Sequence, residues 1–490
     1  MKKLLSVIMV LAMVLSLCAC GASTGNGGAA VSTGAGEAET TAAAGSDGAG
    51  TFRVGYGKEN ITPDGPVGMG GYGKSDQRIS TGILSYLYVT CIAITDADDN
   101  TILLYGMDLC GCADAIKFRE NVSKATGVPV ENIIMSASHT HSAPDYGVNT
   151  GHQGDALNKL KDGLIKSAET AMEDRKEAKM YGGSIETEGM NFVRHYLMND
   201  GTYCGDNFGS TASGYKEHAS KADPQLQLIK FTREGDNDIY ITNFQTHPHQ
   251  TGGGQKYDLS ADIVGEYRMH MENDLGCEVV YFSGAGGNIN SHSRVKEEQA
   301  TQNWKEWGKK MAEYAQQVEF TELKTGKVQA SCFVFEAKIN HADDAYASIC
   351  ANLYSRWSKN ELTTAQVIEL GAAQGIKLNS PYHANAVNSR ASMGDSRSFE
   401  IYACSFGDVG FAAFPGEQFD TNGKFIKDNS PFAMTIVATK ANGENGYFPS
   451  AFAFNVSGGY ECDTTKFVPG TAERLADQYV AMLTEQHNNR

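Results

Sequence analysis

Apolar residues in this chain gather into short runs closed by glycine, proline or small polar residues. Such runs read as buried strands. Residues 51–61 form the first. Residues 86–95 and 101–107 form two more, around the turn Asp96–Asn100. Helical spacing over 113–126 then leads through Gly127 and Pro129 to Ile133-Ile134-Met135, the length of a buried strand. A polar helix covers 156–175, and Asn199-Asp200-Gly201 is a tight turn. Strands follow at 226–231 and 239–244, a helix at 262–275 and a strand at 279–282. Segments 301–318 and 343–375 are helix-rich, the latter suited to a lid or a packing layer. Strands resume at 400–406, 409–414 and 434–439, and an amphipathic helix closes the chain at 471–485. This alternation predicts an α/β fold, a mixed central sheet layered with helices.

Chemistry concentrates where these strands end. After Met135 the chain turns to small residues and then to His139-Thr140-His141, Ser142 and Pro144. In extended backbone, residues i and i+2 share a face, so both imidazoles point one way at a C-terminal strand exit. Open α/β sheets place ligands there. A divalent cation, which takes neutral imidazole, or catalysis explains such a pair; a structural pair bonded to carbonyls or carboxylates is the other use. The strand at 239–244 ends similarly, in His247-Pro248-His249, and adjacent parallel strands would put the two exits side by side. Pro415-Gly416-Glu417 ends a third strand with a carboxylate, a suitable third ligand or a helix N-terminal acid. The loop Ser283-Gly284-Ala285-Gly286-Gly287-Asn288 offers backbone N–H groups to a substrate, or is simply a strand-to-helix turn. The glycine-rich segment from Val67 to Gly73 lacks phosphate-loop spacing.

The N-terminus adds a location. Lys2 and Lys3 precede the apolar segment Leu4–Leu17, which is too short to span a bilayer comfortably. It ends in Leu17-Cys18-Ala19-Cys20-Gly21, which resembles a bacterial lipobox. Residues 1–20 are then a lipoprotein signal with Cys20 lipidated, and Gly/Ala/Ser/Thr-rich 21–50 is a flexible tether. Residues 51–490 are the folded domain, held at the outer face of the cell membrane. A net charge of −17 argues against nucleic acid or anionic lipid as a direct partner. Of eleven cysteines, Cys110 and Cys112 are the one close pair in the folded part, and they read as small buried hydrophobes.

The motifs VGYGKENITP, GMGGYG, SASHTHSAPD, NFQTHPHQ, LSADIVGEY and YFSGAGGNIN occur in that order. FGDVGFAAFPGEQF, ANGENGYFPS and GGYE follow. Together they resemble the N-terminal catalytic domain of the neutral/alkaline non-lysosomal ceramidase family. The resemblance implies one catalytic zinc held by His139, His247, Glu417 and Tyr447. It makes His141 an acid/base or oxyanion partner, and it places Arg194 and Tyr460 against the substrate. It further implies hydrolysis of an amide or ester in a small lipid-like or N-acyl substrate; Arg194, read as an oxyanion donor, is expected to be dispensable for folding. Gly284 stands where the family's ceramidases carry a serine, with Ser283 out of register, and Asn288 stands where they carry an aspartate. On that alignment both face the substrate, and Gly284 widens the space beside the metal. The chain ends where the family continues into an immunoglobulin-like domain. A metal-dependent phosphate or sulfate ester hydrolase, and a non-catalytic lipid- or glycan-binding lipoprotein, are the alternatives.

Overall fold

Strands such as Thr101–Met107 (TILLYGM) are apolar on both faces, which requires cover on both sides. The fold supplies it with two sheets stacked face to face, each lined outside by helices. The computed structural model describes residues 51–72, 78–111, 115–146, 154–206, 213–252, 256–295, 298 and 303–490. The signal segment, Cys20 and the tether lie outside them, and Gly48–Arg490 is one compact unit.

The larger sheet has nine strands. Its order is Glu278–Ser283, Ile239–Phe244, Gln225–Arg233, Lys176–Glu186, Phe52–Asn60, Tyr88–Thr95, Thr101–Met107 and Ile133–Ala137, with Thr321–Leu323 beside Lys176–Glu186. Neighbours are antiparallel except at the two ends. Ile239–Phe244 runs parallel to Glu278–Ser283, and Thr101–Met107 parallel to Ile133–Ala137. The second sheet orders Val328–Lys338, Ser396–Phe406, Val409–Ala413 and Met434–Ala438, the last pair again parallel. It was not apparent in the sequence as a separate layer.

Phe52, Leu104, Phe231 and Phe282 of the large sheet meet Phe406, Phe411 and Ile436 of the small one. Helices Ala115–Thr126 and Ala156–Glu173 cover one half of the large sheet's outer face, and Asp262–Leu275 and Trp304–Ala315 the other. Asp420–Asn429 and Thr471–Asn488 cover the second sheet. Residues 343–375 resolve into helices Asp344–Ser358 and Thr364–Ala373. With Pro381–Ala391 these build a satellite core of their own around Cys350, Leu353 and Val387.

One expectation fails. The strands leading to His139 and His247 are not neighbours; they belong to the two opposite ends of the large sheet. The sheet curls until those ends meet, with Glu278–Ser283 packing on Thr101–Met107 and Ile133–Ala137. Gly106 permits the approach, because a Cβ there would stand 2.8 Å from the Tyr281 carbonyl oxygen. The seam is closed by Ser283 Oγ donating to Ser138 O (2.7 Å) and by His141 N donating to Pro248 O (3.0 Å). The segment after Met434–Ala438 stitches it from the second sheet. Thr439 N donates to Ser283 O, and the Asn442 side chain bonds Met135 N and Ile133 O.

The described cysteines are unpaired thiols. Among the described residues no helix is long and apolar enough to cross a membrane.

Helix Ala156–Glu173 lies so close on strand Phe52–Asn60 that a Cβ on Gly57 would meet Ser167 O at 2.0 Å. Gly57→Ala should therefore cost about 1–3 kcal/mol through overpacking. Gly65, with nothing within 4 Å of its Cβ position, should tolerate alanine. Urea denaturation of the two variants checks this, and equal midpoints would refute it.

Candidate metal centre

The curled sheet and the segments that follow the sheet stacked on it bring four chain segments together. His139 and His141 leave Ile133–Ala137, and His247 leaves Ile239–Phe244. Glu417 follows Val409–Ala413, and Tyr447 is its register partner in a two-residue parallel ladder. His139 adopts φ 68°, a left-handed conformation uncommon outside glycine and often found at functional sites. It swings the imidazole inward while its N–H stays bonded to Leu109 O at 2.9 Å.

The hydrogen bonds fix which ring nitrogen carries the proton. His139 Nδ1 donates to Cys110 O (2.7 Å), and His247 Nδ1 donates to Gly286 O (2.7 Å) and Ile289 O (3.0 Å). A neutral imidazole has one N–H, so each Nε2 presents a lone pair. Glu417 Oε2 lies 3.2 Å from the first Nε2 and 3.3 Å from the second. His247 Nε2 and Glu417 Oε2 are buried without a hydrogen-bond partner. Three lone pairs thus converge, and their donor atoms lie within 4.8 Å of one another. Such a group is unstable unless a cation or a proton sits among them. Backbone carbonyls that accept from the far ring nitrogen are the usual partners of metal-binding histidines. The residues fit a divalent ion.

The electrostatics agree. Burial pulls His139 down, but Glu417 more than offsets this and raises it to about 10. A proton there serves as the cation. Burial pushes Glu417 up, yet His139 and Lys440 outweigh it and hold the carboxyl well below its usual range. Burial and Arg194 lower His247 to about 4, and burial with His139 and His247 lowers His141 well below its ordinary value. His141 Nε2 stands 3.3 Å from His139 Nε2, while its Nδ1 is buried and unpartnered. Gly71 (φ 93°) lies against this ring; a Cβ there would come within 2.5 Å of it.

Tyr447 Oη accepts from Arg194 Nη2 at 3.3 Å, and its ring packs 5.8 Å from that of Tyr460. Arg194 is almost wholly buried. It forms an ion pair with buried Glu461 and donates to Gly287 O at 2.8 Å. Arg194 is consequently not dispensable for folding. Its loss would strand the Glu461 charge, a defect typically worth about 3–5 kcal/mol.

Two expected site residues make their polar contacts away from the three donor atoms, though Asn288 also lines an apolar cavity of about 390 Å³. A Cβ on Gly284 would meet Gln245 Oε1 at 2.8 Å, so a side chain there would point to Gln245 and not to the three donor atoms. Asn288 spends its amide on the helix Asp420–Asn429, donating to Asp420 Oδ1 (2.7 Å) and accepting from Asp420 N (2.9 Å). Conversely, three residues had been missed. Cys110 is half-buried, with Sγ 3.8 Å from His139 Nδ1, and its thiol joins His139 and His141 as a second possible ligand group. Lys440 Nζ lies 3.5 Å from Glu417 Oε1, and His249 packs on His141 and His247. Lys440 follows a strand and His249 repeats the His-X-His spacing, which were the available signals.

Residues 52–304 match the family model described as neutral/alkaline non-lysosomal ceramidase, N-terminal. A neutral ceramidase of Pseudomonas aeruginosa is 25% identical over 264 residues, 50% of this chain and 38% of that protein. The chain thus aligns with well under half of that relative's length. Among solved structures, a ceramidase complexed with C2 superposes with a TM-score of 0.67 at 18% identity, covering 90% of this chain and 76% of the other. The crystal structure of the Pseudomonas aeruginosa neutral ceramidase gives 0.66 at 19%, covering 90% and 75%.

A cation must displace the His139 proton, so binding should release about one proton at neutral pH. Affinity should rise about tenfold per pH unit towards the His139 value of about 10. Calorimetry in buffers of different ionisation enthalpy measures this; binding without proton release would be the contrary result.

Proposed function

Because this chain belongs to the neutral/alkaline non-lysosomal ceramidase family, we propose that it is a zinc-dependent hydrolase cleaving the amide bond of an N-acyl, ceramide-like lipid. The observation that carries the reading is the convergence of three lone pairs, on His139, His247 and Glu417, beside His141 and Arg194. Two imidazoles and a carboxylate are a donor set that suits zinc. Tyr447 would be the fourth ligand. Burial raises its phenol well above 10, with Glu417 adding to the rise and Arg194 opposing it, so the Arg194 hydrogen bond assists its ionisation.

When bound, the ion supplies Lewis acidity, polarising the acyl carbonyl and acidifying water. The remaining work falls to the side chains. His141, held neutral by its surroundings, takes the proton from the attacking water and returns it to the leaving nitrogen. Arg194 and Tyr460 donate to the acyl oxygen as negative charge gathers on it. Water's hydroxyl ends on the acyl carbon and its proton on nitrogen as the C–N bond breaks. Lipidation of Cys20, holding the domain at the outer membrane face, belongs to the same proposal.

His141→Gln should lower kcat by about 100- to 10,000-fold with metal content unchanged, and chelation should abolish turnover of short-chain ceramides in the parent protein. Chelator-insensitive hydrolysis would falsify the metal mechanism. Inertness of the zinc-loaded protein towards every amide and ester would remove the enzymatic reading altogether. Cys20→Ala should move the protein out of the membrane fraction; mature wild-type protein found free in the medium would refute the anchor.

A further inference from the structure

The satellite helices are inserted between two paired strands of the second sheet, Val328–Lys338 and Ser396–Phe406. The last of them, Pro381–Ala391, packs on the short helix Tyr460–Thr464, and a cavity of about 240 Å³ lies between the two. Tyr382, Asn385, Ser389 and Arg390 form one wall, Tyr460 and Lys466 the other. Tyr460 is a partition. One side of its ring meets Tyr447 at 5.8 Å, and Tyr382 approaches at 6.2 Å from the cavity side. The cavity therefore adjoins the metal centre.

Its charge is unusual for so acidic a protein. Arg390 is 5% exposed and donates Nη1 to the carbonyls of Asp463 (3.2 Å) and Thr465 (2.5 Å), while its Nε is buried without a partner. Lys466 Nζ donates to the Asn445 carbonyl at 3.1 Å. Among the described residues neither cation is ion-paired with a carboxylate. The one acid close to Arg390, Asp463, has both oxygens occupied by Asn379 (3.1 and 2.9 Å) and its carboxyl is pushed up to about 7, chiefly by burial. Two largely buried cations facing one cavity are costly unless an anion joins them. Guanidinium and ammonium groups are also the usual donors to carboxylate, sulfonate and phosphate.

A second cavity has a different lining. Val193, His195, Phe419 and Phe452 line a mostly apolar cavity of about 390 Å³, with Phe452 half exposed at its rim. Its lining suits a hydrocarbon chain, and that of the cationic cavity suits an anionic group.

We propose that the cavity between Pro381–Ala391 and Tyr460–Thr464 is a subsite for an anionic group on the amine half of the amide. The preferred substrates are then N-acyl amines carrying a carboxylate, sulfonate or phosphate, rather than neutral ceramides. This rests on the hydrolase reading above for the bond cleaved, but not for the existence of the anion site. The test compares kcat/KM on N-acylglycine and N-acyltaurine with that on N-acylethanolamine of the same chain length. The wild type should favour the anionic amides by at least about tenfold, the scale of one ion-pair interaction. Lys466→Met should erase the ratio through KM, and Lys466→Arg should keep it. A ratio near one in the wild type, or one unchanged in Lys466→Met, overturns the proposal. Absence of all hydrolysis counts against the enzymatic reading alone, because calorimetric titration with butanesulfonate and butanol tests the subsite directly. Sulfonate binding that is lost in Lys466→Met supports it; no sulfonate binding, or equal binding in both proteins, overturns it.

Discussion

Glu417 Oε2 faces the Nε2 atoms of two imidazoles whose Nδ1 hydrogens are committed to backbone carbonyls, and the proton that His139, with its raised pKa, would hold there is the one a cation must displace. The histidines are held from behind by the carbonyls of Cys110, Gly286 and Ile289. The other Glu417 oxygen is held by Lys440, which is itself paired with Glu444. The three donors cannot turn apart, since each rotation would unmake a buried hydrogen bond. A centre of this kind is preorganised: the conformational cost is met by the folding of two sheets rather than by the arriving ligand.

That preorganisation depends on curvature. The candidate donors come from strands at opposite ends of one sheet and from a second sheet stacked upon it. Closure requires glycine at Gly106, and it requires the Thr439–Asn442 stitch between sheets. Behind the centre, Arg194 and Glu461 compensate each other in a region with no exposed surface. Arg194 therefore holds the site's rear wall as well as aiming a donor at Tyr447. Structural and chemical duties coincide in one side chain.

Much of this was legible locally. Ile133-Ile134-Met135 followed by small residues marks a strand exit because burial and turn chemistry are short-range properties, and the ends at His247 and Glu417 were legible for the same reason. What could not be read was long-range. Nothing in the residues around Phe244 says that its strand pairs with Glu278–Ser283 and not with Ile133–Ala137, so adjacency was inferred where curling is the fact. The orientation of Gly284 depends on Gln245 across the strand pair, and the fixing of Asn288 depends on Asp420. Cys110 read as a buried hydrophobe because its preceding run is apolar; its approach to His139 follows from the sheet register. The second sheet stayed hidden partly because Val328–Lys338 has an exposed, mixed surface along much of its length.

The stitch between the sheets also sets a sequence of events during synthesis. His139 and His247 emerge early, but Glu417, Tyr447 and the Asn442 side chain that locks Met135 in place come near the end of the chain. The closing helix Thr471–Asn488 must still pack on the second sheet. No nascent chain shorter than Tyr447 contains the full donor set. A metal held by that proposed donor set would accordingly be loaded late, after the segment carrying Tyr447 has been made.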